Sequence, residues 1–200
     1  MFPEITRDDI FRLETPRLWL RWPRAADAEA IARYAGDPDV ALETANIPHP
    51  YERHHADRHI IAMRAANTTG EGLCLAIALK RQPNDLIGLI NVMGAANRGA
   101  SALGYWLAKP FWGQGLMTEA ATAFVDLVFN VSGLGEITST ALPSNAASLR
   151  VLEKVGFAPD GTRFIDAPRR GGEINVATAT LKRGAAHSMF GARRAKLTSN

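Results

Sequence analysis

Apolar residues recur along this chain with two spacings, a period of two that marks strands and a period near 3.6 that marks helices. Leu18 and Leu20 alternate with Trp19 and Arg21, so residues 15–22 read as a first strand that Pro23 closes. Ala28, Ile31, Ala32 and Ala35 fall on one helical face, which predicts a helix over 25–35 stopped by Gly36-Asp37-Pro38. Two prolines within 46–51 forbid regular structure, and a polar helix is expected from about 52 to 66. Leu73, Leu75, Ile77 and Leu79 alternate with Cys74, Ala76 and Ala78, giving a strand with one large face and one small face on which something must pack closely. A turn at 81–85, a buried strand at 86–93, a turn at 97–99 and a strand at 103–108 complete a meander. The helix after Gly115 places Leu116, Ala120, Phe124, Leu127 and Val128 on one face and Thr118, Thr122 and Asp126 on another. Residues 136–142 then read as a strand parallel to the one before that helix, 145–155 as a short helix, and 162–166 with 174–181 as a closing hairpin around 167–172.

The segment 104–119 carries the densest chemical signal, because an apolar strand runs through Gly113-Gln-Gly115 directly into a helix. Such a loop is either a tight turn or an anion site, in which main-chain N–H groups and the helix dipole face a phosphate. No Lys-Ser or Lys-Thr follows and no third glycine completes a dinucleotide fingerprint, so neither nucleotide-binding pattern is present. A second segment follows about thirty residues later: Asn145-Ala-Ala-Ser148, then Leu152, Gly156 and Phe157. By residue type alone, Asn145 and Ser148 suit a helix cap as well as a site, and Gly156-Phe157 reads as a helix stop and a core aromatic.

Two hundred residues with 46% hydrophobic content suffice for one well-buried core. No apolar run approaches the ~18 residues of a membrane helix, and the N-terminus lacks a signal-peptide pattern, which implies a soluble, cytoplasmic protein. Cys74 has no partner cysteine and reads as buried filler. The net charge of +3 is uneven: residues 174–200 hold no Asp or Glu but carry Lys182, Arg183, Arg193, Arg194 and Lys196, leaving 18 basic against 20 acidic residues before them. Without interleaved aromatics the tail reads as a solvated terminus rather than a nucleic-acid contact.

Together the two segments resemble the acyl-coenzyme A site of the GNAT N-acetyltransferase superfamily, and Thr118-Glu-Ala120, Asn145-x-x-Ser148 and the stretch 47–51 are similar to its RimJ/RimL branch. The resemblance implies an α/β (α+β) GNAT fold: a mixed sheet of six to seven strands, splayed central parallel strands and about four helices. It implies one domain over 1–183 followed by a basic tail, 184–200. Acetyl-CoA would be the co-substrate, with no metal, and the acceptor a primary amine, either a protein N-terminus or a small molecule; a homodimer is left open. Gly113, Gln114, Gly115, Leu116, Met117 and Thr118 would hold the pyrophosphate, with Trp106, Leu107 and Asn145 along the rest of the donor and the amide near Leu107 on the oxyanion. Glu43, Asn46, His49, Tyr51 and Tyr105 would meet the acceptor.

The chain departs from the family at several places. Pro110 stands where many members carry Gln or Arg before the glycines, and Leu152 stands where many carry a tyrosine that protonates the leaving thiolate. Ser148, one turn earlier on the same face, is the available hydroxyl and the candidate general acid. Ala102 and Asn175 occupy positions where relatives often have carboxylates, so the base is Glu43, a water relay, or none if the amine arrives neutral. An α-amine, with a pKa of about 7.7–8.0, needs little help at neutral pH. The missing carboxylates also motivate an alternative, a coenzyme A-binding sensor without efficient turnover.

Overall fold

The computed structural model describes residues 2–94 and 101–185. Its strands are β1 (Arg12–Glu14), β2 (Leu18–Arg21), β3 (Gly72–Leu79), β4 (Gln82–Gly94), β5 (Ser101–Leu107), β6 (Glu136–Ala141), β7 (Ala158–Ala167) and β8 (Gly172–Lys182). Its α-helices are α1 (Ala28–Ala35), α2 (Pro38–Ala41), α3 (Arg53–Thr69), α4 (Leu116–Val131) and α5 (Ala146–Val155). One mixed sheet takes the order β1-β2-β3-β4-β5-β6-β8-β7. Every neighbouring pair is antiparallel except β5 and β6, the two strands joined through α4.

Both faces of the sheet are covered. On one side α4 and α5 bury Phe124, Val128, Leu152 and Val155 against Leu18, Leu20, Leu75, Ile77 and Ile90. On the other, α1 and α3 bury Ile31, Ile60 and Met63 against Cys74, Ala76, Leu89 and Trp106. The small face of β3 therefore has a reason: Cys74 and Ala76 let the two helices approach the sheet. Burial pushes the Cys74 thiol up to about 12, so it is inert filler at neutral pH. Where β2 ends, Asn67 of α3 continues the ladder for β3, donating to the Cys74 carbonyl at 2.9 Å and accepting from its N–H at 2.7 Å.

Several sequence-based expectations need correction. There are eight strands and five α-helices among the described residues, against six to seven and about four, because β1 and α2 are too short to show a period. Strand β2 occupies only part of 15–22, and Gly36-Asp37-Pro38 is a start as well as a stop. Asp37 accepts from the Asp39 N–H at 3.0 Å with Pro38 in the first turn of α2. The helix expected to end near 66 runs to Thr69 and stops at Gly70, whose φ of 72° is left-handed. The strand at 136–142 ends at Ala141, and the closing hairpin is longer at both ends than 162–166 and 174–181. On α4, Asp126 is buried rather than on a polar face, and the apolar surface extends to Met117, Ala121, Ala123, Val125 and Phe129. The turn at 97–99 lies outside the described residues.

The turn expected at 81–85 is instead only Lys80-Arg81, followed by a bulge: Leu79 faces Gln82, but Ala78 faces Leu86. The bulged carbonyls of Pro83 and Asn84 accept from the Arg21 guanidinium at 3.1 Å each. Arg21, which alternates with Leu18 and Leu20 along β2, does not reach the surface. It is buried and grips buried Asp27 through two bonds of 2.7 and 2.8 Å, while Asp27 also accepts from the Arg24 N–H. This pair joins β2, the segment before α1 and the bulge.

Candidate functional site

Strands β5 and β6 pair at only three positions, Ser101 with Ile137, Ala102 with Thr138 and Leu103 with Ser139, although β5 continues to Leu107. Beyond Leu103 they splay. The Ala108 amide donates to the Ile87 carbonyl at 2.8 Å on β4. By alternation the amides of Trp106 and Gly104 also turn to β4, and those of Tyr105 and Leu107 turn into the gap. The gap accordingly presents main-chain polar groups to any chain that enters it. At its upper end the Trp112 indole donates to the Leu107 carbonyl at 2.6 Å.

The gap leads to the glycine loop. Gly113 and Gly115 have φ of 72° and 71°, a region that costs a residue with a Cβ about 1 kcal/mol or more. An added Cβ on Gly113 would meet nothing within 4 Å, so the loop is open on the outside and the glycines are required first by conformation. Gly115 is the N-cap of α4 and no side chain caps that helix, which leaves the first-turn N–H groups directed outward. Outward N–H groups at an uncapped helix start have the chemistry to take an anion. The one acid in the first turn, Glu119, is drawn aside: it accepts from the Thr15 hydroxyl at 2.6 Å, the Arg17 amide at 2.8 Å and the Arg17 Nε at 2.6 Å. Arg17 in turn donates to the Gln114 carbonyl at 2.9 Å, bracing the loop from the turn before β2. Burial favours the neutral form of Glu119, but the bonds from Thr15 and Arg17 outweigh it and hold the carboxyl below its ordinary value. Gly115→Val is expected to weaken binding of a coenzyme A ligand at least tenfold, or about 1.4 kcal/mol, because valine at positive φ must rebuild the loop. Calorimetry on the folded variant tests this; unchanged affinity would reduce the loop to a turn.

On the same side of the gap, α5 starts at Asn145, whose Oδ1 accepts from the Ser148 N–H at 2.9 Å, the capping arrangement its residue type allowed. The Asn145 amide also reaches the Glu43 carbonyl at 3.5 Å, so α5 touches the loop after α2. Ser148 is half-buried, and its Oγ lies 2.9 Å from the Tyr105 hydroxyl, which also donates to the Ser148 carbonyl at 3.2 Å. Leu152 is buried in the core. Tyr105, expected to meet an acceptor, is thus brought against Ser148, and burial pushes its phenol up to about 12 against the opposing Ser148 bond. It stays protonated and remains a donor at neutral pH.

Across the sheet, Trp106 points the opposite way and walls a cavity of about 400 Å³ with Ala35, Asn46, Ile47, Tyr51 and residues of α3. Asn46 and Tyr51 meet there as expected. His49 is exposed and outside the lining, and Glu43 also lies apart, with its Oε2 buried and without a hydrogen bond. The ionisable lining residues that sequence reasoning missed are His55, Arg58 and His59 of α3 and Arg169 of the β7–β8 turn. Only the i, i+4 spacing of the two histidines hinted at the first three; Arg169 is over a hundred residues away in sequence. Lost hydration and the charges of His54, Arg58 and Arg169 push the His55 pKa down against the pull of Glu52, and surrounding protein lowers that of His59. Next to Arg169, Arg170 donates to the carbonyls of Ala41, Thr44 and Ile47, clasping the loop after α2 to the hairpin tip.

Among the described residues no cluster of His, Cys, Asp or Glu could hold a metal ion, and no helix is long and apolar enough to cross a membrane. Of the five basic residues after residue 173, Lys182 and Arg183 are described: Arg183 donates to the carbonyls of Phe129, Ser132 and Leu134, closing the C-terminal end of α4. Arg193, Arg194 and Lys196 lie outside the described residues.

Residues 17–158 match the family described as an acetyltransferase (GNAT) domain. An uncharacterized N-acetyltransferase of Bacillus licheniformis, p20, is 29% identical over 152 residues, 74% of this chain and 83% of its own length. The fold is similar to that of an acetyltransferase (GNAT family) from Bacillus anthracis, with a TM-score of 0.74 and 20% identity over 87% of this chain and 99% of that one. It is also similar to RimJ of Mycobacterium smegmatis in complex with a CoA-disulfide, with a TM-score of 0.70 and 22% identity over 82% of this chain and 81% of that one.

Proposed function

The chain belongs to the GNAT acetyltransferase family, and from that premise we propose that it transfers the acetyl group of acetyl-CoA to a primary amine by direct attack within a ternary complex. One observation supports this reading above the others: the interrupted β5–β6 ladder runs from an uncapped, glycine-built helix start to a hydroxyl pair on one face and a cavity on the other. We take residues 1–183 as the catalytic unit.

In this reading the amides of 113–118 take the pyrophosphate of the donor, and pantetheine pairs with the free edge of β5. The Leu107 N–H, turned into the gap, faces the oxygen that gains charge as the amine nitrogen bonds to the thioester carbon. When the C–S bond breaks, the electron pair leaves on sulfur, and Ser148, backed by Tyr105, supplies a hydrogen bond or proton to it. The amine proton passes to water or to the His59 imidazole, whose lowered pKa leaves it a neutral acceptor at pH 7; the His55 Nδ1 already accepts from the Glu52 N–H at 3.1 Å. The same positive surroundings lower the pKa of an ammonium bound there, so more of it is neutral for attack. No covalent enzyme intermediate is needed, and positioning alone contributes several kcal/mol to the lower barrier.

The test is thiol release from acetyl-CoA by the full chain with a panel of N-terminal peptides and small amines. Acceptor-dependent release is expected with at least one class. Tight acetyl-CoA binding without release from any acceptor would favour the sensor reading, to which the absence of acidic side chains from the cavity lining lends some weight.

A further inference from the structure

The cavity beside Trp106 has a charge character that direct acetyl transfer does not require. Its ionisable lining residues are His55, Arg58, His59, Arg169 and the phenol of Tyr51, and none is acidic. The nearby carboxylates lie outside the lining: Glu52 is 3.0 Å from His54 and also pulls on His55, and Asp57 is 3.3 Å from Arg53. Neither Arg58 nor Arg169 forms an ion pair among the described residues. Two exposed guanidinium groups thus stand beside a concave, partly aromatic space without an ion-pair partner, an arrangement that repels a cation and attracts an anion. The backbone beside Arg169 is anchored, since the side chain of the adjacent Arg170 donates to carbonyls of the loop after α2. The lowered pKa of His55 is consistent with this positive field.

We propose that the acceptor is a small amine that also carries an anionic group, a carboxylate or a phosphate, held by Arg58 and Arg169 while its apolar part lies against Trp106 and Tyr51. This rests on the acetyltransferase reading and narrows its substrate class. The cavity, about 400 Å³, suits a molecule of that size. A guanidinium recognises either anion through paired N–H bonds, and the remaining length sets how far the amine reaches toward the gap. Acceptors with several positive charges are disfavoured by the same field.

The experiment compares aminoalkyl carboxylates and aminoalkyl phosphates, over a series of chain lengths, with their uncharged carboxamides and alcohols. Thiol release by the full chain is read as kcat/KM, and calorimetry on the N-acetylated products reads binding without turnover. An anionic member of the series should be preferred over its uncharged counterpart by roughly tenfold or more, chiefly through KM, as expected for losing a hydrogen bond to a charged group. Arg58→Gln with Arg169→Gln should bring that ratio toward one, and Arg58→Lys with Arg169→Lys should keep part of it. Both arginines are exposed, so the variants should fold. Selective binding of acetylated anions without any turnover would support the anion site while the acetyltransferase reading fails. Turnover with equal or greater preference for uncharged amines, equal binding of charged and uncharged products, or a preference that survives the double Gln variant would overturn the proposal.

Discussion

Ser148→Ala should lower kcat roughly ten- to a thousandfold, the range for losing one donor that stabilises developing charge or transfers a proton, with little change in acetyl-CoA affinity. The leaving sulfur is a modest base, with a free thiol pKa near 8.5, so a hydrogen bond that strengthens as the C–S bond breaks is enough. Ser148 does not act alone in this account. Its Oγ is 2.9 Å from the Tyr105 hydroxyl, so as Ser148 turns its proton toward sulfur, Tyr105 can donate in its place. Tyr105→Phe should therefore lower kcat by a smaller factor than Ser148→Ala, and the double variant should cost less than the product of the two. Rapid-mixing measurement of the chemical step decides the matter. A wild-type rate in the alanine variant would leave Ser148 as part of the first turn of α5 and nothing more.

The second large effect concerns stability. Asp27→Ala should destabilise the fold by about 3–5 kcal/mol, because it leaves the Arg21 guanidinium charged, buried and without its carboxylate. The side chains are 5% and 2% exposed, so water cannot substitute at either end. Replacing both residues together, Arg21→Met with Asp27→Leu, should recover part of the loss, since the penalty comes from an orphaned charge more than from a missing attraction. The carbonyls of Pro83 and Asn84 would still lose their donor, so recovery should be incomplete. Urea unfolding gives both numbers, and a single-variant loss below about 1 kcal/mol would mean that the pair is solvated in solution.

The elements legible in the sequence were those long enough to show a period. Strand β3 announced both its large and small faces, and α4 its main apolar stripe, because each residue of a regular element repeats the same geometric constraint. The glycine loop was legible for a related reason: only glycine takes the left-handed backbone of Gly113 and Gly115 without strain, so conformation is written in residue type. Short elements such as β1 and α2 offered no period to read. The bulge in β4 was hidden because its cause, Arg21, is some sixty residues away. The cavity was the least legible part. Its charge comes from α3 and from the β7–β8 turn, brought together only by the closed sheet, whereas Glu43 and His49, which the resemblance placed at the acceptor, lie outside its lining. Tyr105 and Trp106 show the finer limit: adjacent strand residues must face opposite ways, but which faces the hydroxyl of Ser148 and which the cavity depends on what covers each side.

The three-pair contact between β5 and β6 has a thermodynamic consequence. Hydrogen bonding between the β1–β5 part of the sheet and the β6–β8 part rests on that short ladder, so the sheet is unfinished along the remaining length of β5. A ligand chain that pairs there completes a secondary-structure element as well as occupying a site, and its binding energy becomes folding energy. At a free ligand concentration one hundred times its dissociation constant, that linkage is worth about 2.7 kcal/mol. If that chain is the acetyl donor of the proposed reaction, the abundance of folded protein would follow the donor's supply, and starvation for it would loosen the molecule along this seam.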